Sequence, residues 1–345
     1  MNASQRARVC LAAAIVGLAV AGSIGYVVLV DHRVGGLAVD APAPDAAAMD
    51  ERRAVVYVSE ARDHPSALAV WNGDGPPTVT DRRCDRVHAA GSRAVCVRGD
   101  GAVTGSIDAA VLDENLVEVL SFGGAGRPSR ARVATDGRRV AYTTFVEGHS
   151  YLDEGGFSTV TAIVDVPSGL HTNLEAYTLV RDGRPWSPTD VNFWGVTFAP
   201  DSDRFWATVS SGGRTWLVEG DAPERRLEVV AADAECPSAS PDGSRLVYKQ
   251  RRPGGFGRPD EFVLVVHDVA TGERHRLEAA GHVDDQVEWL DDDTILFGRI
   301  GTDGRSTVWS LDLDDPDGAR PFLRDASSPA VVSAGSFTPR PEPSP

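Results

Sequence analysis

The side chains that carry most enzyme chemistry are spread along this 345-residue chain without a recognised catalytic spacing. No Gly-x-Ser-x-Gly segment, which would hold a hydrolase serine on a sharp turn, is present. No glycine-rich phosphate loop precedes a helix, and no helical repeat of His and Glu offers a zinc site. The sequence therefore predicts no catalytic residue, no metal site and no cofactor. Catalysis stays open only if the fold gathers distant side chains, among them the eight histidines His32, His64, His88, His149, His171, His267, His275 and His282.

One acidic segment, Asp312-Leu313-Asp314-Asp315-Pro316-Asp317-Gly318, spaces its carboxylates somewhat as a calcium loop does. Pro316 occupies a ligand position, however, and the distant bidentate glutamate of such a loop is missing. We interpret the segment as an acidic hairpin turn, and the run Asp291-Asp292-Asp293 in the same way.

A repeated pattern predicts the fold: an apolar stretch, a tight polar turn and a β-rich run. It is clearest at Ser240-Pro241-Asp242-Gly243 followed by Arg245-Leu246-Val247-Tyr248. Proline and aspartate start such a turn, and glycine tolerates the positive φ that closes it. With the turn positions Gly91, Gly137, Ser202, Gly243 and Asp293 as anchors, the intervals are 46, 65, 41 and 50 residues. Periods of about 40–50 residues with four strands each are typical of β-propeller blades.

The two ends of the repeat region complement each other. Residues 54–58, 67–71 and 77–80 look like the last three strands of a blade, whereas 330–334 looks like a single first strand. Pairing them would close a propeller over residues 54–337 and leave no open sheet edge. The sequence therefore predicts an all-β, six-bladed propeller, with seven blades as the alternative.

These repeats resemble the propeller repeats of the TolB-like family, through the Ser-Pro-Asp-Gly turn at 240–243 and its looser copies. The stretches Asn192-Phe193-Trp194-Gly195-Val196-Thr197-Phe198 and Asp284-Asp285-Gln286-Val287-Glu288-Trp289-Leu290 are similar to a membrane-anchored actinobacterial branch of it. The resemblance covers about residues 54–335. It implies a propeller fold and a place among envelope translocation partners. The separate α/β domain that usually precedes the propeller in that family has no counterpart here.

The predicted topology also places candidate binding residues. In a propeller the first strand of each blade lines the central channel. We call the end where first strands begin the entrance end, and the end that carries the Ser-Pro-Asp-Gly turns the turn end. Three long segments, 147–157, 181–190 and 251–260, lie on the entrance side, where aromatic and carboxylate groups are typical of ligand sites. We predict that an envelope protein or a small ligand binds there through His149, Tyr151, Trp186, Asn192, Glu235, Asp284, Asp285 and Gln286. A solvated acidic rim is the alternative.

The cysteines predict one disulfide. Cys84 and Cys96 lie symmetrically about position 90. In an antiparallel hairpin centred there the two residues would stand directly opposite each other, at about 4.5–5.5 Å between Cα atoms. We expect these two to be bonded and Cys236 to remain a buried free thiol.

The N-terminus predicts a membrane anchor. Residues 9–30 contain no charged side chain and have the length of about 20 residues that crosses a bilayer. Arg6 and Arg8 precede the run, which predicts that residues 1–8 are cytoplasmic and that the rest lies outside. A signal peptide cleaved after Ala21 is the alternative. Residues 31–53 are rich in Ala, Pro and Asp, and we expect them to form a disordered tether. Residues 338–345 are rich in Pro, and we expect a disordered tail.

The net charge of −16 disfavours nucleic acid as a partner, because phosphates would be repelled. The sequence favours a non-catalytic binding or scaffold domain of the cell envelope. Two alternatives remain: a lactonase- or lyase-type enzyme with metal or acid/base residues in the channel, and a sensory ectodomain that acts with a membrane partner.

Overall fold

The computed structural model describes residues 49–73, 75–101, 105–146, 158–252, 262–278, 283, 285–301 and 303–338. The described part of the chain contains no helix with the length and apolar character needed to span a bilayer. The predicted anchor at 9–30 and most of the predicted tether and tail lie outside the described residues.

The structure has six blades around a central axis, and the predicted six-bladed propeller is confirmed. The first three strands of the chain belong to blade 6, which closes the ring: β1 (Arg53–Ser59), β2 (Ala67–Trp71) and β3 (Thr78–Arg83). Blade 1 is built from β4 (Arg86–Ala90), β5 (Arg93–Gly99), β6 (Ser106–Leu112) and β7 (Glu118–Ala125). Blade 2 is built from β8 (Arg127–Val133), β9 (Arg139–Val146), β10 (Ser158–Asp165) and β11 (Leu170–Asn173).

The second half of the ring follows after a short 3-10 helix, Leu174–Ala176. Blade 3 comprises β12 (Thr178–Arg181), β13 (Arg184–Pro185), β14 (Asn192–Phe198), β15 (Arg204–Ser211), β16 (Arg214–Asp221) and β17 (Arg226–Ala232). Blade 4 comprises β18 (Glu235–Ala239), β19 (Arg245–Arg251), β20 (Phe262–Asp268) and β21 (Arg274–Leu277). Blade 5 comprises β22 (Glu288–Trp289), β23 (Thr294–Ile300), β24 (Ser306–Asp312) and β25 (Arg320–Arg324). The last strand, β26 (Ala326–Ser333), is the inner strand of blade 6.

Blade 6 joins the two ends of the described chain. β26 runs antiparallel to β1, with Val55 opposite Val331 and Arg53 opposite Ser333. The sheet order is β26-β1-β2-β3. Because the first and last strands hydrogen-bond to each other, the ring closes through backbone pairing between distant parts of the chain.

The repeated turn has the same geometry in three blades. The amides of Gly137, Ser202 and Gly243 each donate to the carbonyl three residues earlier, at 2.8–2.9 Å. All three residues have positive φ, which glycine adopts without strain and Ser202 adopts at 62°. The aspartate before each of them caps the next turn amide. The turn pattern in the sequence therefore reflects hydrogen bonds that each hairpin needs.

Blade 3 departs from the four-stranded plan. The short hairpin of β12 and β13 adds to its outer side, where β12 runs parallel to β17. Residues 174–191 thus wrap the outside of a blade before the inner strand β14 begins. This insertion accounts for part of the 65-residue interval in the repeat.

Six apolar clusters hold the ring together, one at each interface between neighbouring blades. The cluster between blades 5 and 6, for example, joins Trp71 to Phe322 edge to face at 5.7 Å between ring centroids. At about 25 cal/mol per Å² of apolar area, such interfaces supply most of the favourable free energy of folding.

The predicted disulfide between Cys84 and Cys96 is confirmed, with 5.4 Å between Cα atoms, and Cys236 is a buried free cysteine. The predicted register is wrong, however, because Val87 and not Cys84 stands opposite Cys96. Cys84 lies in the connection between β3 of blade 6 and β4 of blade 1. The disulfide therefore links the connection between blades 6 and 1 to strand β5. It does not join two residues that are paired across the β4–β5 ladder.

Replacing both Cys84 and Cys96 by alanine should lower the free energy of unfolding by about 2–3 kcal/mol, because the bond closes a short loop of the unfolded chain. Urea denaturation with and without dithiothreitol measures the effect. Cys236→Ala is the control, since it keeps the bond and should respond to the reductant as the wild type does. A wild-type protein whose stability is unchanged after full reduction would contradict the prediction.

Candidate functional site

Charged side chains on the inner strands meet at the ring axis. Residues two apart on a strand share a face, so β4 presents Arg86 with His88, and β8 presents Arg130 with Arg132. Blade 5 supplies the acidic partners, Asp285 just before β22 and Glu288 at its start. All six of these side chains lie on inner strands or on the segment directly before one. The result is two ionic clusters stacked along the axis.

The Glu288 cluster consists of His88, Arg132 and Glu288. The Arg132 guanidinium donates from Nη1 to Glu288 Oε2 at 2.5 Å, and from Nη2 to the Val287 carbonyl at 3.0 Å. Its Nη2 also reaches the Ser238 hydroxyl in blade 4 at 3.3 Å. The amide of Val331 in β26 donates to Glu288 Oε1 at 3.1 Å. One ion pair thus connects the inner strands of blades 2, 4, 5 and 6.

His88 adds blade 1 to this cluster and its tautomer follows from its contacts. The amide of Val133 donates to His88 Nδ1 at 3.0 Å, so the neutral ring carries its proton on Nε2. That Nε2 donates to Glu288 Oε2 at 3.2 Å. Arg132 Nη1 lies 2.7 Å from the same Nε2. Arg132 Nη1 and His88 Nε2 both carry hydrogen, so they do not hydrogen-bond to each other. They lie close together because both donate to Glu288 Oε2.

The Asp285 cluster consists of Arg86, Arg130 and Asp285, toward the entrance end. Asp285 lies 3.4 Å from Arg130 Nε and 3.9 Å from Arg86 Nε. It also accepts from the Gln286 amide at 2.7 Å and from the Ser328 hydroxyl at 3.1 Å. Its side chain is only 11% exposed. This carboxylate is fully engaged by cations and donors of blades 1, 2, 5 and 6.

Burial and partners compete to set the charges. Burial by itself raises the pKa of Glu288, but His88, Arg132 and the Val331 amide together hold that pKa below its ordinary 4.5. Burial likewise opposes ionisation of Asp285, yet Arg130 and Arg86 hold its pKa below 3.8. Burial lowers the pKa of His88 below 6.5, assisted by Arg132 and opposed by Glu288. Both carboxylates are therefore ionised at neutral pH, and His88 is neutral.

Gln286 closes the remaining side of the axis. Its Nε2 donates to the Val196 carbonyl of blade 3 at 3.1 Å, and also approaches the Pro237 carbonyl of blade 4. There β14 and β18 come so close that a Cβ on Gly195 would lie 2.8 Å from the Cα of Cys236. The Glu288 cluster, the Asp285 cluster and Gln286 together occupy the axis, and we call them the plug.

A cavity of about 590 Å³ lies on the turn end of this plug. Its floor is the Glu288 cluster, and its walls come from the ends of all six inner strands. Apolar wall residues are Phe198, Pro200, Pro241, Trp289, Val331 and Val332, and polar ones include Thr135, Thr197, Ser240 and Ser333. Its volume falls in the range of about 300–1,000 Å³ that is usual for ligand sites.

The rim of the cavity carries Asp50, Arg52 and Arg53, which precede or begin β1. Arg52 Nη2 donates to the Asp50 carboxylate at 2.7 Å, and Arg52 contacts lower the pKa of Asp50 to about 2. Among the described residues the Arg53 guanidinium makes no hydrogen bond or ion pair, and its charge acts on Asp50 only at longer range, where it helps to lower the pKa of that carboxyl. Met49, just upstream, packs against Gly73 at the same end of the ring. The N-terminal chain therefore joins the propeller at the turn end, beside the cavity mouth.

The described residues that the sequence selected for the entrance end have the following contacts. Trp186 packs edge-on against Trp216 at 4.9 Å, with Arg181 over both rings, on the outer side of blade 3. Asn192 accepts from the Thr159 amide at 2.8 Å. Glu235 stands opposite Lys249 and lies 3.4 Å from Arg251.

The remaining selected residues divide between the axis and the undescribed part of the chain. Asp285 and Gln286 belong to the plug. His149, Tyr151 and Asp284 lie outside the described residues, so that their role stays a prediction. Among the described residues, no group of three or more His, Cys, Asp or Glu is arranged to hold a metal ion.

Sequence reasoning missed most of the plug: Arg86, His88, Arg130, Arg132 and Glu288. A usable signal was present, since Arg-x-His at 86–88 and Arg-x-Arg at 130–132 place charge on strands that should be buried. Only pairing across the ring shows what those charges meet, because His88 and Glu288 are 200 positions apart.

The fold and the occupied axis define a six-bladed, TolB-like β-propeller with a cavity at one end. TolB from Acinetobacter baumannii matches with 15% identity and a TM-score of 0.53, over 81% of this chain and 66% of that one. A chain of a nidogen/laminin complex matches with 12% identity and a TM-score of 0.52, over 83% of this chain and all of that one. At such identities the likeness shows the fold alone. The match spans slightly less than two thirds of the Acinetobacter TolB. No protein-family model and no curated protein matches the chain.

Replacing Glu288 by glutamine should lower the free energy of unfolding by about 3–5 kcal/mol, because Arg132 would keep its charge in a buried place without its counter-ion. The folded pKa of Glu288 is depressed, so its stabilising effect is present above pH 4.5 and is lost as the pH falls below that value. Glu288→Gln should therefore lose less further stability than the wild type on acidification from about pH 5 to 3. Urea denaturation at several pH values measures both effects.

Glu228→Gln is the matched control, since Glu228 forms an exposed ion pair with Arg226 at 3.3 Å. An exposed pair contributes less than about 1 kcal/mol, so this change should be nearly neutral. Equal small effects at positions 228 and 288 would show that the axis does not depend on the buried pair.

Proposed function

We propose that this chain is a non-catalytic binding domain, anchored in the cell membrane and displayed outside the cytoplasm, whose ligand site is the cavity at the turn end. The observation that carries the binding proposal is the cavity itself. It is large enough for an organic ligand, its walls combine apolar and polar side chains, and its floor is the ion-paired Glu288 cluster. Preformed cavities with apolar walls and a few placed polar groups are the usual form of ligand sites.

The state of the axial carboxylates favours binding over catalysis. Acid/base or metal chemistry in the channel requires carboxylates that are free to exchange protons or bind a cation. Asp285 is instead held by two arginines and two hydrogen-bond donors, and Glu288 by Arg132, His88 and the Val331 amide, and the pKa of each carboxylate is lowered. A lactonase- or lyase-type function would have to rely on residues outside these clusters. The entrance end, with His149, Tyr151 and Glu235, remains the alternative binding face.

The sequence of residues 1–53 supports the location. The uncharged run 9–30, preceded by Arg6 and Arg8, has the properties of an anchor with a cytoplasmic N-terminus. The oxidised Cys84–Cys96 pair is typical of proteins that fold outside the cytoplasm. The partner would then be an envelope protein or a small ligand of that compartment. A sensory role would require a further membrane protein as its partner.

Alkaline phosphatase fused after Thr338 should be active in intact cells, because the positive residues at the N-terminus hold that end in the cytoplasm. The full-length chain should sediment with membranes. A fusion that lacks residues 1–30 is the control and should be inactive. A soluble mature chain that begins at Gly22 would replace the anchor with a cleaved signal peptide.

The binding face can be mapped with the photo-crosslinking residue p-benzoylphenylalanine in the full-length chain. Placed at Ser333, which is exposed at the cavity mouth, this residue should crosslink to the bound ligand or partner protein. Intact-mass spectrometry detects the adduct as an increase in the mass of the chain. His64 is the matched control position. It is exposed in the loop between β1 and β2 of the same blade, at the entrance end. Adducts at position 64 alone would transfer the site to the entrance end, and adducts at neither position would contradict the binding proposal.

A further inference from the structure

We propose that the turn-end cavity selects an organic anion, with the negative group bound by Arg53 at the rim and the apolar part against the cavity walls. This inference rests on the proposed function, because it names the ligand class of the same site. Three features of the cavity support the inference. The carboxylates of Glu288 and Asp50 are already paired, the Arg53 guanidinium has unused donors, and apolar side chains lie in the walls.

The negative groups at the cavity are committed to internal partners. Glu288 at the floor accepts from Arg132, His88 and Val331. Asp50 at the rim accepts from Arg52 through both the side chain and the backbone. A cationic ligand would therefore have to displace an arginine from a carboxylate. No carboxylate among the lining residues is left to bind it directly.

The positive groups are not all committed. The lining has three arginines, Arg52, Arg53 and Arg132, against two carboxylates, Asp50 and Glu288, with His88 neutral. The net charge of these lining residues is therefore +1, and the unpaired charge is that of Arg53. Arg53 is half-buried at the start of β1. A guanidinium with unused donors binds carboxylate or phosphate oxygens in a bidentate manner.

The surroundings require an apolar part in the ligand. The whole chain carries a net charge of −16, so a small inorganic anion would be repelled at long range. Burial of an apolar body against Phe198, Trp289 and the two prolines supplies the free energy that such an anion lacks. One guanidinium with unused donors beside these apolar wall residues is suited to a carboxylate or phosphate attached to a hydrocarbon or aromatic group.

Two fluorescent probes of nearly the same shape test the inference on the purified full-length protein in detergent. 8-Anilinonaphthalene-1-sulfonate carries one negative charge, and N-phenyl-1-naphthylamine is its uncharged counterpart. The anionic probe should bind more tightly, and Arg53→Gln should weaken it about tenfold or more, the usual value of a charge-assisted hydrogen bond. The neutral probe should bind Arg53→Gln as it binds the wild type. Octanoate should displace the anionic probe, and octylammonium should not.

Two variants make the outcomes distinct. Arg226→Gln removes the same charge from the exposed outer strand of blade 3 and should leave both probes unaffected. Ser333→Trp narrows the cavity mouth and should weaken both probes. If Ser333→Trp weakens both but Arg53→Gln changes neither, the cavity is a ligand site without anion selectivity, and the inference is overturned. If Ser333→Trp changes neither probe, the ligand site itself is elsewhere and the proposed function fails with it.

Discussion

The arrangement of the inner strands depends on the ion pair between Arg132 and Glu288 at the ring axis. This ion pair joins residues 156 positions apart and is extended by His88, Ser238 and Val331, so that five of the six inner strands touch it directly. A propeller has an axis where no blade can pack against another. Here that space is filled by charged groups that need each other as partners, which obliges the inner strands to hold one mutual arrangement.

Burying these charges has a cost that the packing around them must offset. Desolvation opposes ionisation of both Asp285 and Glu288, and arginines on β4 and β8 outweigh it. Apolar side chains of similar volume are often as stable as a buried ion pair, so the ion pairs at this axis are not by themselves evidence of greater net stability. The Glu288 cluster, which is part of the plug, also forms the floor of the cavity at the turn end.

Two further constraints act at the seam of the ring. β26 pairs with β1, so that the last strand completes the blade that the first strands began, and the Cys84–Cys96 bond fastens the next passage, into blade 1. Both act on blade 6, whose strand β1 begins at Arg53, so that Arg52 and Arg53 lie at the cavity rim. The same blade thus links ring closure, the N-terminal chain and the free guanidinium at the mouth.

The sequence by itself determined the repeated elements, because each hairpin depends on local hydrogen bonds. The turns at Gly137, Ser202 and Gly243 recur with the same geometry, and their spacing predicted six blades. The disulfide partners were also found correctly, although the register used to find them was wrong, since Cys84 lies outside the ladder. The site was not predictable in this way. The sequence selected Trp186 for the entrance side, but only the structure shows that Trp186 packs against Trp216 of the same blade. His88, Arg132 and Glu288 meet only because three blades place their inner strands around one axis. Turn chemistry is encoded within a few neighbouring residues, whereas the partner of a buried charge is decided by contacts that exist only in the closed ring.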